Sequence, residues 1–433
     1  MGQAIQPGCF FRRRRRASAH HVRRANAAGW LLALLVISGL SACAPAPDQT
    51  ITLGTVFPAT GPDAAVGQAM QQGVDLAVKQ NASLGTGHTL AVTHVDGNSD
   101  FVATAVAALA ADPHVMGIIG PMDSQNAVSM LPTVEQNGIA TISPSASLPG
   151  LTQADQAAGE GVTFTQLHPN GKAAAFFRLT ETDNAAGKAA ADLAVAPASA
   201  HGLGASAVFV VDDGSASGKA LAAAFVQQLK AKHGSVAGQQ SMLVGAPVNV
   251  PGSAQSVVTA IIEASPDLVF YAGDIPGGAE LRGTLSLTGA PQLPLFAAGP
   301  IADDPAWSTT VGVAAASTAT TALLPAQDLS TLPKAKTFVA AYQLAFPGKD
   351  LLPQSALAYD AAMDEIATIK SLIAAGKTVS RAAVLAAVTQ AQYAGVTGTI
   401  AFDANGDLVT PTGFSIYTCD VKGTWQYQAS LSG

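Results

Sequence analysis

Short loops rich in hydroxyl and carboxyl side chains follow several predicted strands, and they are the part of this sequence that could do chemistry. They are GPMDSQ with Ser124, SPSAS with Ser145, Ala146 and Ser147, VDDGSASG with Ser217, YAGDIPGG with Asp274, and AGPIADDP with Asp303. In open parallel sheets, ligands bind beyond the carboxyl ends of the strands, so such loops share one edge. A Ser or Asp that begins a helix is usually an ordinary cap, although the N–H groups there can also hold a carboxylate. The repetition of this pattern predicts a polar ligand-binding cleft.

Motifs for catalysis, nucleotide binding and metal binding are incomplete. Residues 202–207 have the spacing GxGxxA but precede a predicted strand instead of opening a helix, so they cannot place a pyrophosphate on a helix N-terminus. Gly376-Lys377-Thr378 resembles the end of a P-loop, but Ser371 stands where the first Gly is needed. The His residues beyond position 42 stand singly, without His or Cys at metal-ligand spacing. We therefore expect no enzymatic activity, no cofactor and no metal ion.

Strand and helix patterns alternate along most of the chain and must position these loops. The predicted strands are Ile51–Phe57, Leu90–Val95, Val115–Ile119, Ile139–Ile142, Ala207–Val211, Asp267–Tyr271 and Leu295–Ala298. The predicted helices include the periodic run around Met70 to Val78, then Phe101–Ala111, Ser124–Asn137, Ala185–Val195, Leu221–His233, Val257–Ala264 and Glu280–Thr288. Strict alternation predicts parallel sheets that are covered on both faces. Because the strands are too many for one compact sheet, the expected fold class is α/β with two doubly wound parallel-sheet lobes.

The C-terminal segment has a different pattern from residue 399 onwards. TIAFDANGDL, GFSIYTCD and TWQYQAS resemble strands, and Asn405-Gly406 is a strong hairpin signal. We therefore expect the chain to end in antiparallel strands.

Composition supports a large folded protein with an acidic body. The chain has 433 residues, of which 48% are hydrophobic and 12% charged, and this length favours two or three domains. Seven of the 22 basic residues lie in the first 42 positions, where there is no Asp or Glu, so the rest of the chain is strongly acidic. An acidic body repels phosphate backbones, and nucleic acid is therefore excluded as a partner.

The N-terminus combines an export signal with a candidate lipid anchor. A basic stretch, Arg12–Arg24, precedes the apolar run Trp30–Leu40, which is too short to span a bilayer but fits a signal-peptide core. Leu40-Ser41-Ala42-Cys43 resembles the lipobox of bacterial lipoproteins; the alternative is an ordinary cleavage site with an incidental Cys. We predict a signal peptide over residues 1–42, lipidation of Cys43, a tether over 43–50 and a membrane contact through the lipid. Cys419 is then unpaired.

The order of motifs resembles the leucine/isoleucine/valine-binding proteins, which are type I periplasmic binding proteins of ABC importers. The similar segments are ITLGTVFPATGPDAAVGQAMQQGVDLAV, VMGIIGPMDSQNAVSMLPTVEQNGIATISPSAS, FFRLTETDNAAGKAAADLA, AVFVVDDGSASGKALAAAF, DLVFYAGDIPGGAELRGTL, ALAYDAAMDEI and GVTGTIAFDANGDL. The resemblance implies two lobes joined by chain crossings near Thr180–Asp183, Ala322–Gln327 and Thr410–Phe414. The first lobe would comprise 51–180 and 325–412, and the second 181–324 and 413–433.

The same resemblance implies a set of ligand contacts. The hydroxyls of Ser124 and Ser147, with the backbone around Ser145 and Ala146, would hold a ligand carboxylate.

Other positions depart from the family pattern. Val66 and Ser217 replace frequent aromatic residues, Asp274 replaces a Tyr, and Ile301 stands where an acid that pairs with a ligand ammonium is common, with Asp303 close by. Asp274 would replace this acid, or the ligand would be an amide or a carboxylic acid without an ammonium group. Residues 150–176 also form a longer segment than is usual, and they could line the mouth of the cleft.

These observations together predict a lipid-anchored extracytoplasmic receptor that delivers a small ligand, first of all an amino acid of the branched-chain type, to an ABC permease. The alternative is a cell-surface sensor that presents its liganded state to a signalling protein.

Overall fold

The computed structural model describes residues 49–85, 87–98, 101–159, 161–171, 173–305, 307–316 and 319–433. The predicted signal peptide and Cys43 lie outside the described residues.

Strands and helices alternate, as the sequence pattern predicts. The strands are β1 Gln49–Phe57, β2 Ser83–Gly85, β3 His88–Asp96, β4 Val115–Ile119, β5 Ala140–Ser143, β6 Phe176–Arg178, β7 Ala207–Asp212, β8 Ser235–Ser241, β9 Leu268–Ala272, β10 Leu295–Ala298, β11 Thr320–Leu324, β12 Tyr393–Ala394, β13 Thr399–Ile400, β14 Phe414–Cys419 and β15 Trp425–Leu431. The helices are α1 Ala64–Gln80, α2 Val102–Ala111, α3 Ser124–Asn137, α4 Phe164–Leu167, α5 Asp183–Val195, α6 Ala216–Ala231, α7 Ala254–Ala264, α8 Ile275–Leu287, α9 Trp307–Val311, α10 Val313–Ala316, α11 Ala335–Ala345, α12 Pro353–Ala374 and α13 Arg381–Val388.

The first sheet has the strand order β2-β3-β1-β4-β5-β6 and is parallel except for the β2–β3 pair. Its central strand β1 is buried from Ile51 to Phe57, which explains the continuous apolar run in the sequence. Helices α1, α12 and α13 cover one face of the sheet, and α2 and α3 cover the other.

The second sheet has the order β15-β14-β11-β10-β9-β7-β8. Strands β7 to β11 are parallel, and β14 and β15 add an antiparallel edge. Helices α5 and α6 pack on one face, and α7, α8 and α9 on the other. The predicted α/β class with two mostly parallel, doubly wound sheets is thus confirmed, and so is the antiparallel end of the chain.

Both sheets have a topological switch point, where the chain direction across the sheet reverses. In the first sheet β1 lies between β3 and β4, and in the second β7 lies between β8 and β9. Open α/β sheets bind ligands in the crevice beyond such points. The polar loops of the sequence follow β4, β5, β7, β9 and β10, so the fold places them at these crevices.

Element boundaries match where local signals are strong. Helix α3 begins at Ser124, because Asp123 caps it, and it ends at Gly138 in the left-handed conformation. Helix α6 begins at Ala216, earlier than the predicted Leu221, because Ser215 caps it and accepts from the Gly218 N–H.

The long segment at 150–176 packs against α3. Leu151 and Leu167 enter the core on that face of the first sheet. The ring of His168 is fully buried; its Nδ1 lies 2.9 Å from Glu135 Oε1 and its Nε2 lies 2.8 Å from the Leu151 carbonyl oxygen. Because Glu135 belongs to α3, this pair ties the segment to the helix that carries Ser124.

Two features bear on membrane and redox chemistry. Among the described residues, every helix is too short or too polar to cross a membrane. Cys419 is a free, half-buried thiol, and burial together with the nearby Asp420 raises its pKa to about 11. It is therefore protonated and unreactive at neutral pH.

Candidate functional site

The turn after β5 is held by serine hydroxyl groups. Ser143 Oγ accepts from the N–H of Ala146 at 2.9 Å, and Ser124 Oγ accepts from the N–H groups of Ser147 and Leu148, both at 3.1 Å. Ser124 and Ser147 therefore lie together, as the sequence predicts, although 23 residues separate them. Since Ser124 accepts these two bonds, its own hydroxyl hydrogen can still donate to a ligand.

A buried arginine fixes the other side of this turn. Arg178 is fully buried at the end of β6, and its guanidinium donates to the carbonyl oxygens of Ala146 at 3.3 Å and Leu148 at 2.9 Å. Its Nε donates to Asp407 Oδ1 at 2.6 Å, and Asp407 also accepts from Thr152 at 2.9 Å. Buried side chains thus bond both the N–H groups and the carbonyl oxygens of the turn, which makes the turn rigid and preorganised.

The two sheets meet at Ser147, Ser217 and Asp183. Ser147 Oγ lies 3.4 Å from Ser217 Oγ at the start of α6, and Ser217 donates to Asp183 Oδ2. The Asp183 N–H donates to the Ser147 carbonyl at 2.9 Å. Burial raises the pKa of Asp183 to about 6, opposed by the two serine hydroxyls and by the charge of Arg178, while Asp213 adds to the increase.

Asp274 is the N-cap of α8. Its Oδ1 accepts from the Gly277 N–H at 2.8 Å, and the Tyr271 hydroxyl lies 3.3 Å from the same atom. Its own N–H donates to Asp213 Oδ2 at 3.0 Å. Burial and the charges of Asp213 and Glu280 raise the pKa of Asp274, while these hydrogen bonds oppose the increase.

Carboxylates from both sheets face the same space. Burial raises the pKa of Asp63 to about 6, and the charges of Asp274, Asp123 and Asp304 raise it further. Asp123 itself caps α3 by accepting from the Asn126 N–H at 2.7 Å. The N-terminus of α3 is therefore occupied by the protein's own carboxylate, and the loops after β1, β4, β9 and β10 make the cleft acidic.

The remaining predicted positions are core residues or lie near the core. Val66 and Ile301 are buried and apolar. Asp303 is fully buried, and burial raises its pKa to about 7, opposed by the side chain of Gln354. No group of His, Cys, Asp and Glu side chains that could hold a metal ion occurs among the residues the structure describes.

Sequence reasoning missed Arg178 and Asp183. Both lie in the quoted motif FFRLTETDN, but their partners Asp407 and Ser217 are distant in the chain. The charge of Arg178 directly after the apolar Phe176-Phe177 was the only local signal.

Replacing Ser124 with Ala tests the role of its hydroxyl in the turn. We expect the free energy of unfolding to fall by about 1–3 kcal/mol, because two N–H groups lose their acceptor. Ligand affinity should fall as well. Urea unfolding monitored by circular dichroism measures the first effect. Ser129→Ala, on the exposed face of the same helix, is the matched control and should change stability little. Equal stability of Ser124→Ala and the wild type would contradict the assigned contacts.

The fold and site geometry agree with a family of binding receptors. A family model for periplasmic binding proteins matches residues 50–423, so the chain belongs to the periplasmic binding protein family. This membership places it among receptors and not among enzymes.

Solved structures of similar fold are proteins that bind small ligands. A leucine-binding protein LivK from Thermotoga maritima has a TM-score of 0.71 and 22% identity, covering 88% of this chain and 99% of that chain. LivJ from Streptococcus pneumoniae, in complex with isoleucine, has a TM-score of 0.70 and 20% identity, covering 89% of this chain and 100% of that chain. A solute-binding protein of an ABC transporter from R. palustris, in complex with benzoate, has a TM-score of 0.69 and 20% identity, covering 88% of this chain and 96% of that chain. No curated protein matches this sequence significantly.

Proposed function

We propose that this protein is the extracytoplasmic solute receptor of an ABC importer. Its ligand is a small molecule with a carboxylate, and a branched-chain amino acid is the first candidate. The observation that supports this most is the meeting of Ser147 from the first sheet and Ser217 from the second, with Ser124 bonded to the same turn. A ligand at this point contacts loops from both sheets.

The predicted lobe boundaries form part of the proposal. The strands of residues 51–180 belong to the first sheet, and those of residues 181–324 and 413–433 belong to the second. The ligand carboxylate would take the hydroxyl donors of Ser124 and Ser147, which the turn of Ser145 and Ala146 holds in place. Ser217 and Asp274 would contribute from the second sheet, and the predicted contact of Asp303 would require the ligand to reach its buried carboxylate.

A thermal-shift screen tests the proposed ligand class. Binding to the folded state raises its stability by RT ln(1 + [L]/Kd), so a ligand at a hundred times its Kd adds about 2.7 kcal/mol. The screen contains the twenty amino acids, their amides, benzoate, 4-hydroxybenzoate and small aliphatic acids. Isothermal titration calorimetry confirms each compound that shifts the melting temperature. If no compound binds, the proposed function is wrong for these ligand classes.

We expect the cleft to open and close. Two lobes that are joined by thin chain crossings move relative to each other unless a large interface holds them. Spin labels at the exposed positions Ala59 and Leu243, in a Cys419→Ser background, report the width of the cleft by pulsed electron resonance. The distance distribution should narrow and shorten when a ligand from the screen is added. An identical distribution with and without that ligand would mean a rigid pocket.

Lipid attachment at Cys43 explains how the receptor stays at the membrane. Acyl chains contribute about 0.8 kcal/mol per buried CH₂, so a lipid with two or more chains holds the protein firmly. We expect Cys43→Ser to leave the protein unprocessed or to release it into the medium. Cell fractionation and intact mass measure both effects. Cys9→Ser, within the predicted signal peptide, is the control and should leave membrane retention unchanged. If Cys43→Ser is cleaved normally after the signal peptide and stays with the membrane, the proposed lipid attachment at Cys43 is wrong.

A further inference from the structure

The end of the first sheet that lies opposite the proposed ligand site carries a group of basic side chains. This end contains the amino ends of the parallel strands β1, β3 and β4, which begin at Gln49, His88 and Val115. The loops of the proposed ligand site follow the carboxyl ends of the strands, so they lie at the opposite end of the sheet. We call this group the basic surface, and its members are Lys79, Lys370, Lys377 and Arg381.

Hydrogen bonds hold two of the basic side chains at this end. Lys370 lies near the end of α12, and its Nζ donates to Asn81 Oδ1 at 2.6 Å. Asn81 is the C-cap of α1, so this bond joins the ends of two helices that cover the same face of the sheet. Arg381 begins α13, and its Nε donates to the carbonyl oxygen of Val115 at 2.9 Å, where β4 begins. Both positive charges are therefore fixed at the amino ends of the strands.

The other two basic side chains are exposed. Lys79 lies in the last turn of α1, close to the helix end that Lys370 contacts, and Lys377 lies in the connection between α12 and α13. A lysine in the last turn of a helix interacts favourably with the helix dipole, which accounts for Lys79 taken alone. Lys377 lies outside the helices, so the helix dipole does not account for the whole group.

The acidic side chains of the first sheet lie mainly elsewhere. Those at or beyond the carboxyl ends of β1, β3 and β4 are Asp63, Asp96 and Asp123. At the amino ends lies Asp112, whose Oδ1 accepts from the His114 N–H at 2.8 Å, and Asp48 directly precedes β1 in the sequence. Four basic residues therefore outnumber two acidic ones at this end, in a chain whose formal net charge is −7.

The predicted lipid anchor joins the chain at the same end of the sheet. Five residues separate Cys43 from Gln49, the first residue of β1, and they span about 20 Å at full extension. A lipid on Cys43 therefore keeps the start of β1 within about that distance of the lipid headgroups. Charges act over about 8 Å at physiological ionic strength, so the acidic remainder of the protein, which lies farther away, repels the membrane little.

We propose that the basic surface docks on anionic lipid headgroups, so that the anchored receptor rests on the membrane with the loops of its ligand site turned away from the bilayer. This inference rests on the proposed lipid attachment at Cys43. Each basic residue near an anionic membrane strengthens binding about fivefold, so an excess of two positive charges gives a docked state that is favoured but easily reversed. The receptor can then take up its ligand in this orientation and leave the membrane surface to meet the permease.

Hydrogen–deuterium exchange on vesicles tests the docked orientation. The mature protein, residues 43–433 with Cys419→Ser, is coupled through the Cys43 thiol to a maleimide lipid, so the test does not depend on lipidation in the cell. Vesicles of phosphatidylcholine alone are compared with vesicles that also contain phosphatidylglycerol. Mass spectrometry then gives the exchange rate of each segment of the backbone.

The expected result is slower exchange at the basic surface. With phosphatidylglycerol, the segments 79–85 and 376–381 should exchange at least about fivefold more slowly, which is the factor that one basic residue contributes. The segment 243–252, which follows β8 at the carboxyl end of the second sheet, should exchange equally on both kinds of vesicle. Raising the ionic strength to about 1 M shortens the Debye length to about 3 Å and should remove the difference.

Charge reversal assigns the effect to the basic surface. Lys79→Glu combined with Lys377→Glu should remove the slower exchange. Lys230→Glu combined with Lys336→Glu is the matched control, because it changes the net charge equally at exposed positions and Lys230 also lies in the last turn of a helix, α6. This control should leave the difference between the vesicles unchanged. If circular dichroism shows that the first double variant folds poorly, Lys79→Gln combined with Lys377→Gln takes its place and should reduce the difference.

Several results would overturn the docked orientation. One is equal exchange of the segments 79–85 and 376–381 on both kinds of vesicle; another is an equal loss of the effect in the two double variants, which would mean that only net charge matters. Slower exchange of the segment 243–252 in place of 79–85 would mean that the ligand site faces the membrane. If docking is absent while Cys43→Ser is released from cells, the docking proposal fails and the lipid anchor stands.

Discussion

Replacing Arg178 with Met should lower the free energy of unfolding by about 3–5 kcal/mol. This is the usual cost when one partner of a buried ion pair is removed and the other stays. The guanidinium is fully buried, its Nε lies 2.6 Å from Asp407, and its other nitrogens hold the carbonyl oxygens of Ala146 and Leu148. The variant leaves a carboxylate without its cation and frees the turn that carries Ser147. Ligand affinity should therefore fall together with stability.

Arg381→Met is the matched control for this effect. Arg381 also donates to carbonyl oxygens, those of Val115, Ala110 and Asp112, but it is only partly buried and pairs with no carboxylate among the described residues. We expect Arg381→Met to lower the free energy of unfolding by about half as much as Arg178→Met or less, since only hydrogen bonds are lost. Urea unfolding at pH 7 compares the two variants. Adding Asp407→Asn to Arg178→Met should recover part of the loss, because the unpaired charge disappears. Equal costs for Arg178→Met and Arg381→Met would show that the ion pair with Asp407 contributes little.

The sequence predicted those parts of the fold that local signals determine. Strands β4 and β10 and helix α3 have the predicted bounds, because apolar runs end there in Pro, Gly or a capping Asp. Strand β8 has no such signal. It forms the edge of the second sheet, its residues SVAGQQS are mostly polar, and its register is set by pairing with β7.

Only the part of the site that contains Ser124 and Ser147 could be predicted from the sequence. Ser124 and Ser147 stand in recognisable turns, and the structure joins them through one hydrogen bond, from the Ser147 N–H to Ser124 Oγ. Asp183 and Arg178 depend on long-range pairing, since Asp407 lies 229 residues from Arg178 and Ser217 lies 34 residues from Asp183. No local pattern encodes such contacts, because they arise from the arrangement of the chain crossings.

Stability should decrease as the pH rises from 5 to 8, and Asp364→Asn should remove part of this dependence. Asp364 lies on α12, is almost fully buried, and neither carboxylate oxygen accepts a hydrogen bond among the described residues. Burial and the charge of Asp360 raise its pKa to about 7, and burial raises the pKa of the adjacent Glu365 well above its usual value. A carboxyl group whose pKa is higher in the folded state binds more protons there between pH 4 and 7. The free energy of unfolding therefore falls as the pH rises from about 4 to 7, and the full penalty for the ionised carboxylate applies above pH 7.

The expected change in the free energy of unfolding follows from the pKa of Asp364. An increase from 3.8 to about 7 corresponds to about 4 kcal/mol at pH 8, at roughly 1.36 kcal/mol per pKa unit. Asp364→Asn should raise the free energy of unfolding at pH 8 by up to this amount and change it much less at pH 4, close to the ordinary pKa of 3.8, where the carboxyl is protonated in the folded state and only partly ionised in the unfolded state. Urea unfolding at pH 4, 6 and 8 gives the slope for each variant. Asp155→Asn, at an exposed position, is the control and should leave the slope unchanged. If Asp364→Asn leaves the dependence of stability on pH as it is in the wild type, the assigned ionisation penalty of Asp364 is wrong.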